Sequence, residues 1–459
     1  MEKTINTAVL IIGAGISGLS SAHFLNKLGI SCEIIEKTSQ PGGSVRSNRI
    51  DGFLAEQGPN SALETTPLLS EVFKDAGIID QMVYANPDAK KRYILKNGEL
   101  EPLPNGLPAF LRTKLFSPAA KFRLTKEPFI KKRDAGVDES LADFVVRRLG
   151  REFLDYAVNP FVAGIFAGTP EKLSTKYAFP KLYQLEQEYG SLIIGSILGA
   201  KKRKQASEKS KQSARMFSFI NGLDTFPKAL AGMFANHLHY NCDVISIRRV
   251  QDKWELIAAD KHNKYTFIAR SLLLTVPAHT LRIIPLPEGM PPIDREIYYP
   301  PVAVAFFGYR DNPAGMPLDG FGFLVPEKEK KNILGTIWSS ALFPNRAPEG
   351  GTAFTTFIGG SRQPVNALKS DDEIADMAYK DLVSIMGINR PPDVRAIFKW
   401  RTAIPQYELG YGNILREIEQ YECKNPGLFI SGNFRGGISV ADCVKQASIM
   451  SARMKEYLH

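Results

Sequence analysis

The residues best suited to chemistry stand near the start of the chain. There Gly13-Ala14-Gly15-Ile16-Ser17-Gly18 is followed by Glu36 and then by Pro41-Gly42-Gly43-Ser44-Val45-Arg46. In a glycine run of this spacing Gly13 permits a tight turn, Gly15 lets the backbone approach a pyrophosphate, and Gly18 lets a helix lie close to a strand. A helix that begins here offers its N-terminal amides to phosphate, and Glu36 is placed to accept hydrogen bonds from a ribose. The chemistry implied is the holding of a dinucleotide.

Such a site needs a strand, a turn and a helix in that order. Residues 8–12 form a short apolar strand, and Leu19, Ala22, Leu25 and Leu28 recur at helical spacing until Gly29. Ser31–Ile35 makes a second strand ending at Glu36, so a complete βαβ unit is expected. Further on, Val244–Val250, Trp254–Ala258 and Thr266–Ile268 read as a small β-meander that ends in residues 271–277. Residues 427–433 read as strand then turn, and Ile438 to Tyr457 as a long amphipathic helix. Two regions lie between these pieces. Residues 105–214 are helical in pattern, as at Leu141–Leu149 and Phe153–Val158, and residues 287–411 carry β-branched and aromatic runs at Ala303–Tyr309, Gly322–Val325, Leu334–Trp338 and Phe354–Gly359.

Composition narrows the function classes. The chain has 459 residues, 44% of them hydrophobic, which predicts two or three globular parts around a sizeable core. Cys32, Cys242, Cys423 and Cys443 are scattered without a CxxC pair and the six histidines are dispersed, so no metal site, disulfide framework or dithiol centre is expected. Redox chemistry must then come from an organic cofactor. No apolar run approaches the length of a membrane span, and the first residues lack a signal-peptide layout, which predicts a cytoplasmic protein. The formal charge of +10 is concentrated in residues 106–136 and 201–215, each with a surplus of six positive charges. Residues 107–130 interleave those cations with Leu107, Phe110, Leu111, Leu115, Phe116, Phe122, Leu124, Phe129 and Ile130, the composition of an interfacial segment on an anionic membrane. The lysine-rich stretch 201–214 reads as a mobile loop. Neither basic window joins a nucleic-acid reader motif.

The GGxxR pattern at Gly42–Arg46 resembles the second fingerprint of amine-oxidase-like flavoproteins, and Glu56-Gln57-Gly58-Pro59-Asn60-Ser61 resembles the loop that runs beside their flavin ring. The resemblance implies FAD and a Rossmann-like, GR2-type α/β FAD-binding domain with an α+β substrate domain and a helical membrane-binding insertion. It implies a discontinuous order: residues 1–86, 215–286 and 412–459 for FAD, 87–104 and 287–411 for substrate, with an antiparallel sheet in the latter, and 105–214 for the insertion. The implied FAD contacts are Gly13, Gly15, Ile16, Ser17, Gly18, Glu36, Lys37, Gly43, Ser44, Arg46, Gly58, Pro59, Asn60, Ser61, Val244, Thr275, Gly432, Asn433, Ser439 and Val440. Among these, Val244 would meet the adenine through its backbone. The helix behind Gly436-Gly437 would aim its positive end at the flavin.

Four further stretches, residues 91–94, 159–168, 318–326 and 355–362, resemble the protoporphyrinogen oxidases, in matching order over nearly the whole chain. Apolar walls and a cation would suit a reduced tetrapyrrole, a broad apolar macrocycle with carboxylates on one edge. By the resemblance, Leu324 and Ile337 clamp one pyrrole ring, Phe357 stacks near another and Arg92 holds a propionate. Gly164 places its backbone carbonyl near the reacting carbon, with oxygen as the acceptor and peroxide as product. Gly164, Arg92 and Phe357 are the expected catalytic group, and no side-chain base is implied. Phe323 and Trp338 are expected in the pocket. Members are peripheral membrane proteins and often dimers. Coproporphyrinogen oxidation stays open as an alternative, and so does amine oxidation, for which Trp400, Tyr407 and Tyr411 could supply flavin-facing aromatics.

Overall fold

A computed structural model describes residues 2–203 and 214–459. Its organising element is the strand Glu2–Ile12, longer than the apolar run 8–12 alone predicts. The extra residues pair in parallel with the first half of Lys264–Leu274, which supplies backbone partners that hydropathy does not reveal. Across the parallel core the order is Leu238–His239, Cys32–Ile35, Glu2–Ile12, Lys264–Leu274 and Leu428–Ile430. Lys264–Leu274 is one strand of eleven residues rather than the separate segments the sequence suggests. Its first half pairs antiparallel with Lys253–Ala259, itself paired to Asp243–Val250, and its second half pairs parallel with Leu428–Ile430.

Both faces of this sheet are covered. On one face the helices Ile16–Lys27 and Val440–Leu458 meet through Leu19, Ala22 and Leu25 against Val444, Ala447 and Met450. Leu272, Leu273 and Leu274 are fully buried, each stabilising the fold by roughly 1.5–3 kcal/mol. A strand buried on both faces reads as a continuous apolar run, which is why 271–274 was legible.

The second sheet runs Val394–Trp400, Val302–Tyr309, Thr352–Gly359, Ile333–Trp338, Gly320–Leu324, Lys91–Lys96 and Glu99–Pro102. All neighbours are antiparallel except Gly320–Leu324 with Lys91–Lys96. Period-two alternation gives it two faces. One face, bearing Tyr93, Phe323, Trp338 and Phe354, packs the helix Asp371–Met386 through Ile374, Ala378 and Leu382. Residues 105–203 form short helices, including Leu141–Arg148, Asn159–Phe166 and Leu192–Arg203. The stretch 204–213, and with it most of the expected loop at 201–214, lies outside the described residues. Among the described residues no helix is long and apolar enough to cross a membrane, and no group of three potential ligands is disposed to hold a metal ion.

Candidate active site

The glycine turn sits where the first strand meets its helix. The Gly13 amide donates to the Ile35 carbonyl (2.8 Å), and the Gly42 amide to the Ala14 carbonyl (2.8 Å), so both fingerprints form one continuous rim. A Cβ at Gly18 would lie 2.0 Å from the Gly13 carbonyl oxygen and 2.6 Å from Thr275 Oγ1, which makes glycine obligatory there. At Gly15, by contrast, a Cβ would meet nothing within 4 Å. The open space lies on the side from which a diphosphate would approach, with Ile16 and Ser17 opening the helix beside it. Gly43 follows with φ +61° and is exposed, and Arg46 Nε donates to its carbonyl (3.0 Å). Glu36 accepts from the Ala14 amide through one oxygen and from Thr38 through the other, each at 2.8 Å, which fixes its carboxylate at the rim. Lys37 pairs with Asp243 (3.3 Å), next to Val244, so the expected ribose and adenine contacts share one edge. These residues fit the diphosphate and ribose of a dinucleotide.

The residues expected to meet the flavin lie on two loops. Gly58 packs against Ser44, where a Cβ would stand 2.1 Å from the Ser44 carbonyl oxygen. Residues 58–61 are half-buried, and Asn60 Nδ2 donates to the Gly58 carbonyl (3.2 Å). Beneath this loop Glu56 is 2% exposed, accepting from Ser47 Oγ (2.5 Å) and the Leu223 amide (2.9 Å), with Arg346 Nη2 at 3.6 Å. Burial pushes its carboxyl up to about 7, and the Ser47 bond, Arg346 and Leu223 pull the other way. Opposite, Thr275 Oγ1 donates towards the Ile12 and Gly13 carbonyls (3.0 Å each), and the turn through Gly432 and Asn433 leads to the last helix. Ser439 caps that helix reciprocally with Asp442, immediately before Val440.

Tyr407 and Tyr411 are buried and stacked with ring centroids 4.4 Å apart. Tyr407 donates to the Asn433 carbonyl (2.6 Å) and accepts from the Gly437 amide (3.0 Å), while Tyr411 donates to the Phe434 carbonyl (2.5 Å). Trp400 Nε1 donates to the Gln57 carbonyl (2.7 Å). All three aromatics brace the two loops, so their polar ends are committed to backbone.

The residues expected to meet substrate lie on the second face of the antiparallel sheet. Cross-strand pairing aligns Arg92, Gly322, Ile337 and Thr355 in one row, and Ile94, Leu324, Gly335, Phe357 and Val304 in the next. Arg92, Leu324, Ile337 and Phe357 therefore share one face, although they come from four strands. Leu324, Ile337 and Phe357 are half-buried and Arg92 is exposed, its guanidinium 5.7 Å from the Phe321 ring. The helix Asn159–Phe166 lies over this face, where a Cβ on Gly164 would stand 2.6 Å from Leu324 Cδ2. At its other end the same face meets the FAD-side hairpin through Phe53 on Phe306. Phe323 and Trp338 are not here. Alternation turns them to the far face, 2% and 0% exposed beneath Asp371–Met386, which corrects the expectation that they line the pocket.

The model of the family described as flavin containing amine oxidoreductase matches residues 16–454. The chain belongs to this family. Among flavin amine oxidoreductase relatives, protoporphyrinogen oxidase 2, chloroplastic/mitochondrial, of Arabidopsis thaliana is 31% identical over 97% of this chain and 93% of its own length. The coproporphyrinogen III oxidase of Bacillus subtilis (strain 168) is 27% identical over 98% of both. A crystal structure from Exiguobacterium sp. 255-15, provisionally named protoporphyrinogen oxidase, superposes with a TM-score of 0.83 at 23% identity over 99% of both chains, and reduced UDP-galactopyranose mutase with 0.74 at 15% over 98% of this chain and 94% of the other. The protein is an FAD-dependent oxidoreductase with the mixed α/β fold of this family. Two features of its flavin amine oxidoreductase site escape the sequence. The Glu56–Arg346 pair joins residues 290 apart, and although Tyr407 and Tyr411 were expected as flavin-facing aromatics, their bracing of the 433–437 loop carries no sequence signal.

Proposed function

We propose that this flavoenzyme oxidises protoporphyrinogen to protoporphyrin with oxygen as acceptor and hydrogen peroxide as product. The observation that carries the proposal is the single sheet face bearing Arg92, Leu324, Ile337 and Phe357, with Gly164 opposed. Such a surface is broad and apolar with one cation at its margin, and it lies between the helix and the flavin-side loops. A macrocycle flattened on it buries its pyrroles against Leu324, Ile337 and Phe357 and offers a propionate to Arg92. When bound, FAD would supply the hydride-accepting chemistry, with oxygen as the proposed final acceptor. This chain's residues orient and exclude water. Gly164 lies in the last turn of its helix, where carbonyls lack intrahelical donors, so its carbonyl can lie against the reacting carbon.

Coproporphyrinogen, with four propionates, asks for more cations than the two rows around Arg92 provide. Amine oxidation asks for aromatic faces turned to the flavin, whereas Tyr407 and Tyr411 are buried and stacked on each other. Porphyrin fluorescence from the purified yellow protein, given each porphyrinogen in turn, tests the reading. A rise with protoporphyrinogen exceeding that with coproporphyrinogen is expected; equal rates remove the preference, and no signal from either refutes tetrapyrrole oxidation.

The same proposal includes peripheral docking on the inner face of an anionic membrane. Leu107, Leu111, Phe122 and Phe129 are exposed, Phe129 by 88%, beside exposed Arg112, Lys114, Arg123 and Lys126. Co-sedimentation with vesicles containing phosphatidylserine, weakened by salt, is expected. Equal partitioning onto neutral vesicles at any salt refutes the electrostatic part.

A further inference from the structure

Phe357 stands near the end of its strand, and the chain then turns through Gly359-Gly360-Ser361-Arg362 back onto the helix Asn159–Phe166. The turn grips that helix at both ends. At the C-terminal end the Ser361 amide donates to the Ala167 carbonyl (2.7 Å). Gly360, at φ +66°, approaches so closely that a Cβ would stand 2.5 Å from the same oxygen. At the N-terminal end Arg362 Nη2 donates to both the carbonyl and the Oδ1 of Asn159, each at 2.6 Å. Its other terminal nitrogen, Nη1, donates to the carbonyl of Val325 (2.8 Å), the neighbour of Leu324.

One planar guanidinium thus ties the start of the helix to the strand that carries the expected ring clamp. Asn159 is held on the same strand's exit by a reciprocal pair with Glu327, accepting from its amide (3.0 Å) and donating to its carboxylate (3.2 Å). The helix does not fix its own starting point. A π-helical stretch, Leu154–Val158, runs directly into it, and Pro160 has no amide to donate. Arg362 is half-buried, and desolvation pushes its guanidinium down to about 10.

We infer that Arg362 is a positioning residue that sets the gap between Gly164 and Leu324. The consequence for turnover rests on the tetrapyrrole reading; the mechanical role does not. Arg362 makes its hydrogen bonds to Asn159 and Val325 rather than to either residue of the gap. It acts through Asn159, because a rigid two-turn helix moves as a unit and Gly164 travels with its N-terminus. Misplacement of about 1 Å at a reacting centre costs up to about a hundredfold in rate.

The test uses the FAD-loaded protein with Arg362→Met, Gly164→Ala and the double variant. Arg362→Met is expected to keep its flavin absorbance, to lose about tenfold or more in kcat with a smaller change in KM, and to speed hydrogen exchange of the amides in 159–167. Gly164→Ala narrows the same gap. Its cost should therefore be at least about threefold smaller in the Arg362→Met background, because coupled sites are not additive. Strictly multiplicative effects, or unchanged exchange over 159–167, overturn the proposal. Should Arg362→Met fail to fold, Arg362→Lys takes its place, with the same coupling expected at reduced size. A wild-type protein that oxidises neither porphyrinogen sinks the tetrapyrrole reading alone, since the exchange measurement still decides whether Arg362 holds the helix.

Discussion

Replacing Glu56 with glutamine should change how stability depends on pH. The carboxyl is buried beneath the loop at residues 58–61, which is expected to meet the flavin, and burial raises its pKa from 4.5 to about 7. Between those values the unfolded chain has released its proton while the folded protein still holds it. Stability therefore falls as pH rises from about 4.5 to about 7, and is flat in this group's contribution outside that window. The shift of about 2.5 units, at about 1.36 kcal/mol per unit, amounts to about 3 kcal/mol. Glutamine can still accept from the Leu223 amide, but it carries no proton to lose. Urea unfolding of wild type and Glu56→Gln, run from pH 4.5 to 7.5, should show the difference moving by about 3 kcal/mol in the variant's favour. Arg346 at 3.6 Å is the competing effect. If its attraction outweighs burial, the carboxylate is stabilised and wild type gains on the variant as pH rises, which refutes the reasoning. Parallel curves refute it too.

Gly18→Ala should abolish FAD retention. Its Cβ would stand 2.0 Å from the Gly13 carbonyl oxygen, and backbone against backbone has no rotamer to relieve it. Flavin absorbance co-eluting with the variant on gel filtration at wild-type stoichiometry would contradict this. Arg92→Ala should raise KM for protoporphyrinogen about tenfold or more while kcat stays within about threefold, because an ionic hydrogen bond is worth roughly 1.5–3 kcal/mol and is made in ground and transition states alike. Steady-state kinetics check it, and an unchanged KM returns Arg92 to the solvent.

The nucleotide half of the site was legible because local sequence dictates it. The turn at Gly13–Gly18, the strand to Ile35 and the acidic residue at its end lie within about two dozen residues, where backbone sterics and helix capping decide structure. Strand runs such as Ala303–Tyr309 and Leu334–Trp338 were legible for a similar reason, since apolar β-branched and aromatic side chains favour a packed, pleated surface. Strand alternation implies that Phe323 and Leu324 face opposite ways, which the expectation of both in the pocket overlooked. It did not determine which way is inward, because both are apolar, and only pairing with Ile333–Trp338 and coverage by Asp371–Met386 turned Phe323 into core and Leu324 into wall. The same holds for Tyr407, whose partners Asn433 and Gly437 are set by the packing of two distant loops. Arg362 stood within a recognised stretch, yet its grip on Asn159 spans 203 residues. Local periodicity is written in one segment at a time, whereas register and long-range hydrogen bonds arise only when segments meet and every buried donor must find an acceptor.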